Sequence, residues 1–168
     1  MSRIGLFYGK NANTTAEAAK KIRAAMGDVA VELMPIEEAW KEDFETCDSL
    51  IVGASTWFDG ELPDYWDEVL PLFKTLNLKG KKVAIFGLGD QLNYPDNFVD
   101  GMGYLATAFE SAGAVLVGDT ADEGYDYHQS KAVRNGRFVG LVLDEDNQPA
   151  LSEERIKGWA EQLKKALI

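Results

Sequence analysis

The sequence predicts an α/β fold: an open parallel β-sheet with helices on both faces. Two observations predict it. Strand-like and helix-like segments alternate in β–α order about five times along the chain. The strand-like segments are apolar runs without visible polar alternation, as expected of strands buried on both faces. The chain is 168 residues long and has no linker long enough to divide it, so one domain over 1–168 is expected.

The elements follow in order. Residues 3–8 form a first strand and 9–13 a loop. Thr14 or Thr15 can cap a helix whose apolar side carries Ala18, Ala19, Ile22 and Met26. Residues 29–33 read as a second strand stopped by Pro35, and 50–53 as a third. Polar turn material and a helix over about 65–73 come next. The fourth strand spans 82–88, followed by a helix over about 98–112 with Gly113 at its stop. Residues 115–118 start a fifth strand, and 138–143 are strand-like again. The polar stretch from about 120 to 137 reads as a loop inserted within that fifth strand. A last helix is expected from Ser152 to the end, bearing Ile156, Trp159, Leu163 and Ala166.

Composition narrows the function. The hydrophobic fraction of 46% and charged fraction of 27% are those of a globular protein rather than a disordered one. Lys+Arg number 17 against 28 Asp+Glu, a formal charge of −11. Such a surface repels phosphate backbones, so nucleic acid is a poor partner, while basic docking patches are attracted. Cys47 is the single cysteine, which excludes an intramolecular disulfide and a cysteine-based metal site; a packed thiol is expected. The chain opens directly into a strand without a signal-like segment, and no apolar run reaches membrane-spanning length. A cytoplasmic location without a membrane partner is therefore expected. His128, the only histidine, is expected to be a surface side chain. Trp40, Trp66 and Trp159 read as helix packing. The acidic stretches Glu37–Glu38, Glu42–Asp43 and 64–68 read as solvated faces, some of which could serve docking.

In an open parallel sheet, ligands bind beyond the carboxyl ends of the strands, near the reversal of strand order. Three loops reach that edge. The first, Gly9, Lys10, Asn11, Ala12, Asn13, Thr14 and Thr15, joins a strand to a helix N-terminus, where free N–H groups and the helix dipole favour an anion. It lacks the Walker ending and the GxGxxG pattern, and an ordinary capped turn explains it equally well. The second holds Ser55, Thr56, Trp57, Phe58, Asp59 and Gly60. Trp57 is best explained as a wall for a flat ligand, whereas Phe58 is equally accounted for by the core. The third contains Leu88, Gly89, Asp90, Tyr94 and Asn97. Its glycines allow close backbone approach, and Tyr94 supplies either a second aromatic plate or a packed surface ring. A planar ring with a phosphate tail satisfies the combined set.

These strings, in this order, resemble the long-chain flavodoxins over essentially the whole chain. The matching segments are residues 5–9, Thr56–Trp57 with Gly60–Glu61–Leu62, residues 86–91 with Tyr94 and Asn97, then 122–125, 130–141 and 143–148. The resemblance implies a flavodoxin-like doubly wound five-stranded sheet in the order 2-1-3-4-5, and the insertion typical of long-chain members. It implies a non-covalently bound FMN. The first loop and the Thr15 hydroxyl would hold the phosphate, and Trp57 and Tyr94 would cover the two faces of the isoalloxazine. Asp90 and the backbone near Leu88 and Gly89 would bind the pyrimidine edge. Thr56 and Asp146 would lie near the ribityl chain or phosphate. It further implies a low-potential one-electron carrier working through a neutral semiquinone, not an enzyme. Its redox partners would be a flavodoxin/ferredoxin reductase as donor and an electron-accepting enzyme, met by a monomer.

Two departures from the family pattern stand out. Phosphate loops of the family usually read Thr/Ser-x-Thr-Gly-x-Thr, so residues 10–15 here lack two hydroxyls and the glycine, which weakens the expected FMN affinity. Asn13 tolerates left-handed backbone, Asn11 and Thr14 can donate, and Lys10 adds a positive charge in compensation. The second departure is Phe58–Asp59, where a carboxylate would repel an anionic reduced flavin if it pointed inward. Two alternatives remain: an FMN-dependent reductase, disfavoured by two covered flavin faces, and a binding module with weakened FMN affinity. A response regulator is excluded because Gly9–Lys10 and Ala54–Ser55 stand where its acidic residues belong.

Overall fold

Strand β1 (Ile4–Tyr8) is buried at every position, because it pairs in parallel with β2 (Val31–Pro35) on one side and β3 (Ser49–Ser55) on the other. The computed structural model that shows this describes residues 3–11, 13–56 and 61–168, with Asp64 described in its backbone alone. Beyond β3 lie β4 (Lys82–Leu88) and β5 (Val115–Val117), giving the order 2-1-3-4-5, parallel throughout. The expected sheet is the observed one.

The fifth strand is split as the sequence predicts. β5 pairs with the first half of β4, from Lys82 opposite Val115 to Ala84 opposite Val117. Residues 118–140 then leave the sheet. They form short strands β6 (Thr120–Ala121), β7 (Val133–Arg134) and β8 (Arg137–Phe138), paired antiparallel in the order 6-8-7. The chain returns as β9 (Leu141–Leu143), which pairs with the second half of β4, Phe86 to Leu88. Gly140 makes the return possible: a Cβ there would sit 1.7 Å from the Ile85 carbonyl oxygen. The insertion packs through its own aromatics. Phe98, Tyr125 and Phe138 lie with ring centroids 5.2–6.1 Å apart, and the Tyr125 hydroxyl donates to the Val142 carbonyl at 2.6 Å.

Two helices cover one face of the sheet, α1 (Asn13–Ala25) and α5 (Pro149–Ala166). Ala18, Ile22, Ile156, Trp159 and Leu163 meet Leu6, Ile51 and Phe86 there. The other face carries α2 (Lys41–Thr46), α3 (Asp64–Asp67), a 3-10 turn (Leu70–Lys74) and α4 (Asp100–Ser111). Their Phe44, Trp66, Phe73 and Phe109 pack on Phe7, Leu50, Val52 and Ile85. Trp66 is wholly buried and donates its indole N–H to the Gly53 carbonyl at 3.2 Å. Burying such a ring contributes roughly 5 kcal/mol before its ordering is counted.

Several local expectations are corrected. The helix expected over 65–73 ends at Asp67 and resumes as a 3-10 turn. Pro71 is the reason: it cannot donate to residue 67, and its ring crowds that carbonyl. The last helix starts at Pro149 in the first helical turn, not at Ser152, whose buried hydroxyl caps nothing. Thr14 and Thr15 lie inside α1, which begins at Asn13. α4 begins at Asp100, two residues later than expected, because Val99 takes a left-handed backbone. α2 had no counterpart in the sequence reading. Trp66 and Trp159 pack as expected, but Trp40 is 73% exposed. Cys47 is buried, which pushes its thiol pKa up. His128 is exposed beside Asp96. Among the described residues, no helix is long and apolar enough to cross a membrane.

Candidate ligand cleft at the carboxyl edge of the sheet

The ends of β1, β3, β4 and β9 converge on one cleft of about 200 Å³. Thr14, Ser55, Thr56, Leu88, Gly89, Asp90, Tyr94 and Asp146 line it, all expected site residues, together with Glu145. Tyr94 is 48% exposed, so its ring stands open at the cleft as a stacking surface. Thr56 accepts the Gly101 N–H at 3.1 Å, which ties the cleft to the first turn of α4. Asn13 lines a neighbouring groove with Thr14, Glu17, Lys21 and Glu145. Asn97 does not line the cleft; its carbonyl accepts the Asp100 N–H at the start of α4. The expectations for Ala12, Trp57, Phe58, Asp59 and Gly60 lie outside the described residues.

The loop after β4 is held by a polar network that runs from half-buried Asp90 to wholly buried Asp144. Asp90 Oδ1 accepts the N–H groups of Leu92 (3.2 Å) and Asn93 (3.0 Å) and the Asn147 amide (2.8 Å). Its Oδ2 accepts the Asn93 amide at 2.7 Å. Burial opposes the Asp90 charge, but these hydrogen bonds outweigh it and hold the carboxyl below its ordinary pKa. Behind it, Asp144 is wholly buried. It accepts from Gln91 N–H (3.1 Å), the Gln91 amide (2.7 Å), Asn147 N–H (3.0 Å) and the Asn147 amide (2.9 Å). Asn147 therefore bridges Asp90 and Asp144. Gly89 N–H, expected at the ligand's edge, donates instead to the Leu143 carbonyl at 3.0 Å. Asp146 has its pKa raised by burial, then by the charges of Asp90, Asp144 and Glu145. The cleft rim is thus strongly negative.

The first loop is arranged differently from the expectation. Lys10 N–H donates to Glu37 Oε1 at 3.1 Å and Asn11 N–H to Glu37 Oε2 at 3.4 Å. The Lys10 ammonium lies 3.7 Å from Glu38 Oε2. Thr15 is wholly buried, with its hydroxyl beside that of Tyr65. Below the loop sits Tyr65: a Cβ on Gly9 would meet its ring at 2.3 Å. Burial drives the Tyr65 pKa up to about 12, although Ser55 and Thr15 beside the hydroxyl pull it back. Sequence reasoning missed Glu37, Tyr65, Glu145 and the Asp144–Asn147 pair. Of these, Asp144, Glu145 and Asn147 carried a signal, as neighbours of Asp146 in a matching string.

A 2-1-3-4-5 sheet with its cleft where β1 and β3 part defines a class, the doubly wound α/β proteins that bind ligands at the switch in strand order. The comparisons specify it further. The flavodoxin family model matches residues 6–159. The flavodoxin of Synechococcus elongatus is 47% identical over 165 residues, covering 98% of this chain and 97% of that protein. The flavodoxin of Synechocystis is 45% identical over 168 residues, 99% of each. The crystal structure of Fusobacterium nucleatum flavodoxin bound to flavin mononucleotide superposes with a TM-score of 0.93 at 31% identity, over 99% of both chains. This chain belongs to the flavodoxin family.

Proposed function

We propose that this protein is a low-potential one-electron carrier that holds FMN non-covalently in the cleft and passes electrons between redox proteins. The observation that carries the reading is the convergence of Thr14, Ser55, Thr56, Leu88, Gly89, Asp90 and Asp146 around one cleft with an open Tyr94 ring. The residues suit FMN. The Thr15 hydroxyl, buried in the first turn of α1, is a donor within reach of a phosphate at the first loop. Residues 10–15 would hold that phosphate. Tyr94 and Trp57 would cover the ring faces, and the loop fixed by Asp90 would meet the pyrimidine edge.

Bound FMN supplies the one-electron chemistry; the protein's own groups tune and gate it. The carboxylates of Asp90, Asp144 and Glu145 lie close enough to Asp146 to raise its pKa. Such a rim disfavours additional negative charge in the cleft, and so lowers the potential for adding an electron. The same charge, within a formal −11 overall, favours weak and salt-sensitive encounters with basic surfaces. A reductase would be the donor and an electron-accepting enzyme the acceptor. The carrier would act as a cytoplasmic monomer.

Fluorescence titration of FMN with the apoprotein tests the cleft. Stacking a flat ring on an aromatic side chain contributes about 1–3 kcal/mol. Tyr94→Ala is therefore expected to raise the Kd for FMN about 10-fold or more. An unchanged Kd would remove Tyr94 from the site, and no quenching by the unmodified protein would remove the reading itself.

A further inference from the structure

A loop that joins a strand to a helix N-terminus offers N–H groups and a positive dipole end to an anion. In this protein an acid of the chain itself has taken part of that offer. Glu37 lies on the 3-10 turn Ile36–Glu38 that follows β2. Its two carboxylate oxygens accept from two successive N–H groups, at Lys10 and Asn11. The Lys10 ammonium turns the same way, toward Glu38. The first turn of α1 has no acidic residue of its own to answer the dipole. A carboxylate held through both oxygens by adjacent amides satisfies those donors as an oxygen of a phosphate would.

We infer that Glu37 is a specificity-determining residue of the phosphate loop: its carboxylate competes with the ligand's phosphate for the loop's donors and charge. This deepens the FMN reading and rests on it. On arrival of a phosphate carrying nearly two negative charges, Glu37 either gives up the two N–H groups or stays and repels. Both routes reduce what the phosphate adds to binding, and the discrimination between FMN and phosphate-free riboflavin falls accordingly. The Tyr65 ring packs directly beneath Gly9 and faces Thr15, so the floor remains when the Glu37 charge is removed.

The test is Glu37→Gln, which keeps the side chain's size and one acceptor oxygen. Apoprotein and variant are titrated with FMN and with riboflavin by fluorescence quenching, and their thermal midpoints are measured with and without inorganic phosphate. The variant is expected to bind FMN about 10-fold more tightly, with riboflavin unchanged within about 2-fold. An unchanged or smaller FMN-to-riboflavin preference overturns the inference and makes Glu37 a structural brace. If neither protein binds either flavin, the FMN reading fails on its own and the phosphate arm decides. A phosphate-dependent rise in the midpoint of the variant alone upholds the role of Glu37, and its absence overturns it.

Discussion

Replacing Asp144 by alanine is expected to destabilise the protein by about 3 kcal/mol or more, because it strips buried donors of a charged acceptor. The carboxylate is wholly buried and accepts from Gln91 N–H, the Gln91 amide, Asn147 N–H and the Asn147 amide. Without it the two Gln91 donors and the Asn147 N–H lose this acceptor, each at about 1–3 kcal/mol if the structure does not relax, while the Asn147 amide keeps Asp90. Asp144→Asn is expected to be nearly as damaging. Every partner of Asp144 here is a donor, so an amide NH₂ in place of either oxygen opposes another N–H. The damage also reaches the cleft, because Asn147 links Asp144 to Asp90. Urea midpoints of the two variants check this. A loss below about 1 kcal/mol for Asp144→Asn contradicts the network as described.

A steep loss of stability is expected between pH 10 and 12. Burial drives the hydroxyls of both Tyr65 and Tyr125 from an ordinary pKa of 10.0 up to about 12. In the unfolded chain these groups ionise near pH 10; in the folded protein they resist until about pH 12. A raised folded pKa contributes stability that is complete below the unfolded value and disappears as pH climbs through the folded one. Two units correspond to about 3 kcal/mol for each tyrosine, on the order of 5 kcal/mol together. Tyr65→Phe and Tyr125→Phe should each flatten the slope of stability against pH in that window by about half. Equilibrium unfolding at pH 9, 10, 11 and 12 measures it. A double variant that keeps the full slope would place its origin elsewhere.

The sheet was legible because its strands are uninterrupted apolar runs whose register leaves little choice. The split of the fifth strand was legible because the polar stretch from about 120 to 137 breaks the apolar pattern, although the returning strand begins at Leu141 rather than at 138. α2 was not, since six residues with a single buried side chain, Phe44, show no helical period. The helix over 65–73 was overextended because its apolar spacing continues past the point where Pro71 forbids the backbone bond. At the cleft, side chains adjacent to the strand ends were read correctly as neighbours. Glu37 was read as a solvated acid, because its contact with Lys10 and Asn11 joins residues 27 and 26 apart and leaves no local pattern. Tyr65 was hidden for a similar reason: its place beneath Gly9 is set by how α3 packs against the 3-10 turn Ile36–Glu38. Trp40 shows the converse, an apolar residue in a helical context that packing leaves in solvent.

Central to the proposed function is a cleft in which bound flavin carries one electron at a time. Stepwise dithionite titration of the FMN-loaded protein, followed by absorbance and electron paramagnetic resonance, tests it most directly. Two resolved one-electron steps are expected, with an unpaired-spin signal that grows through the first and falls through the second. A single two-electron step without that signal would contradict it and turn the reading toward a hydride-transferring reductase.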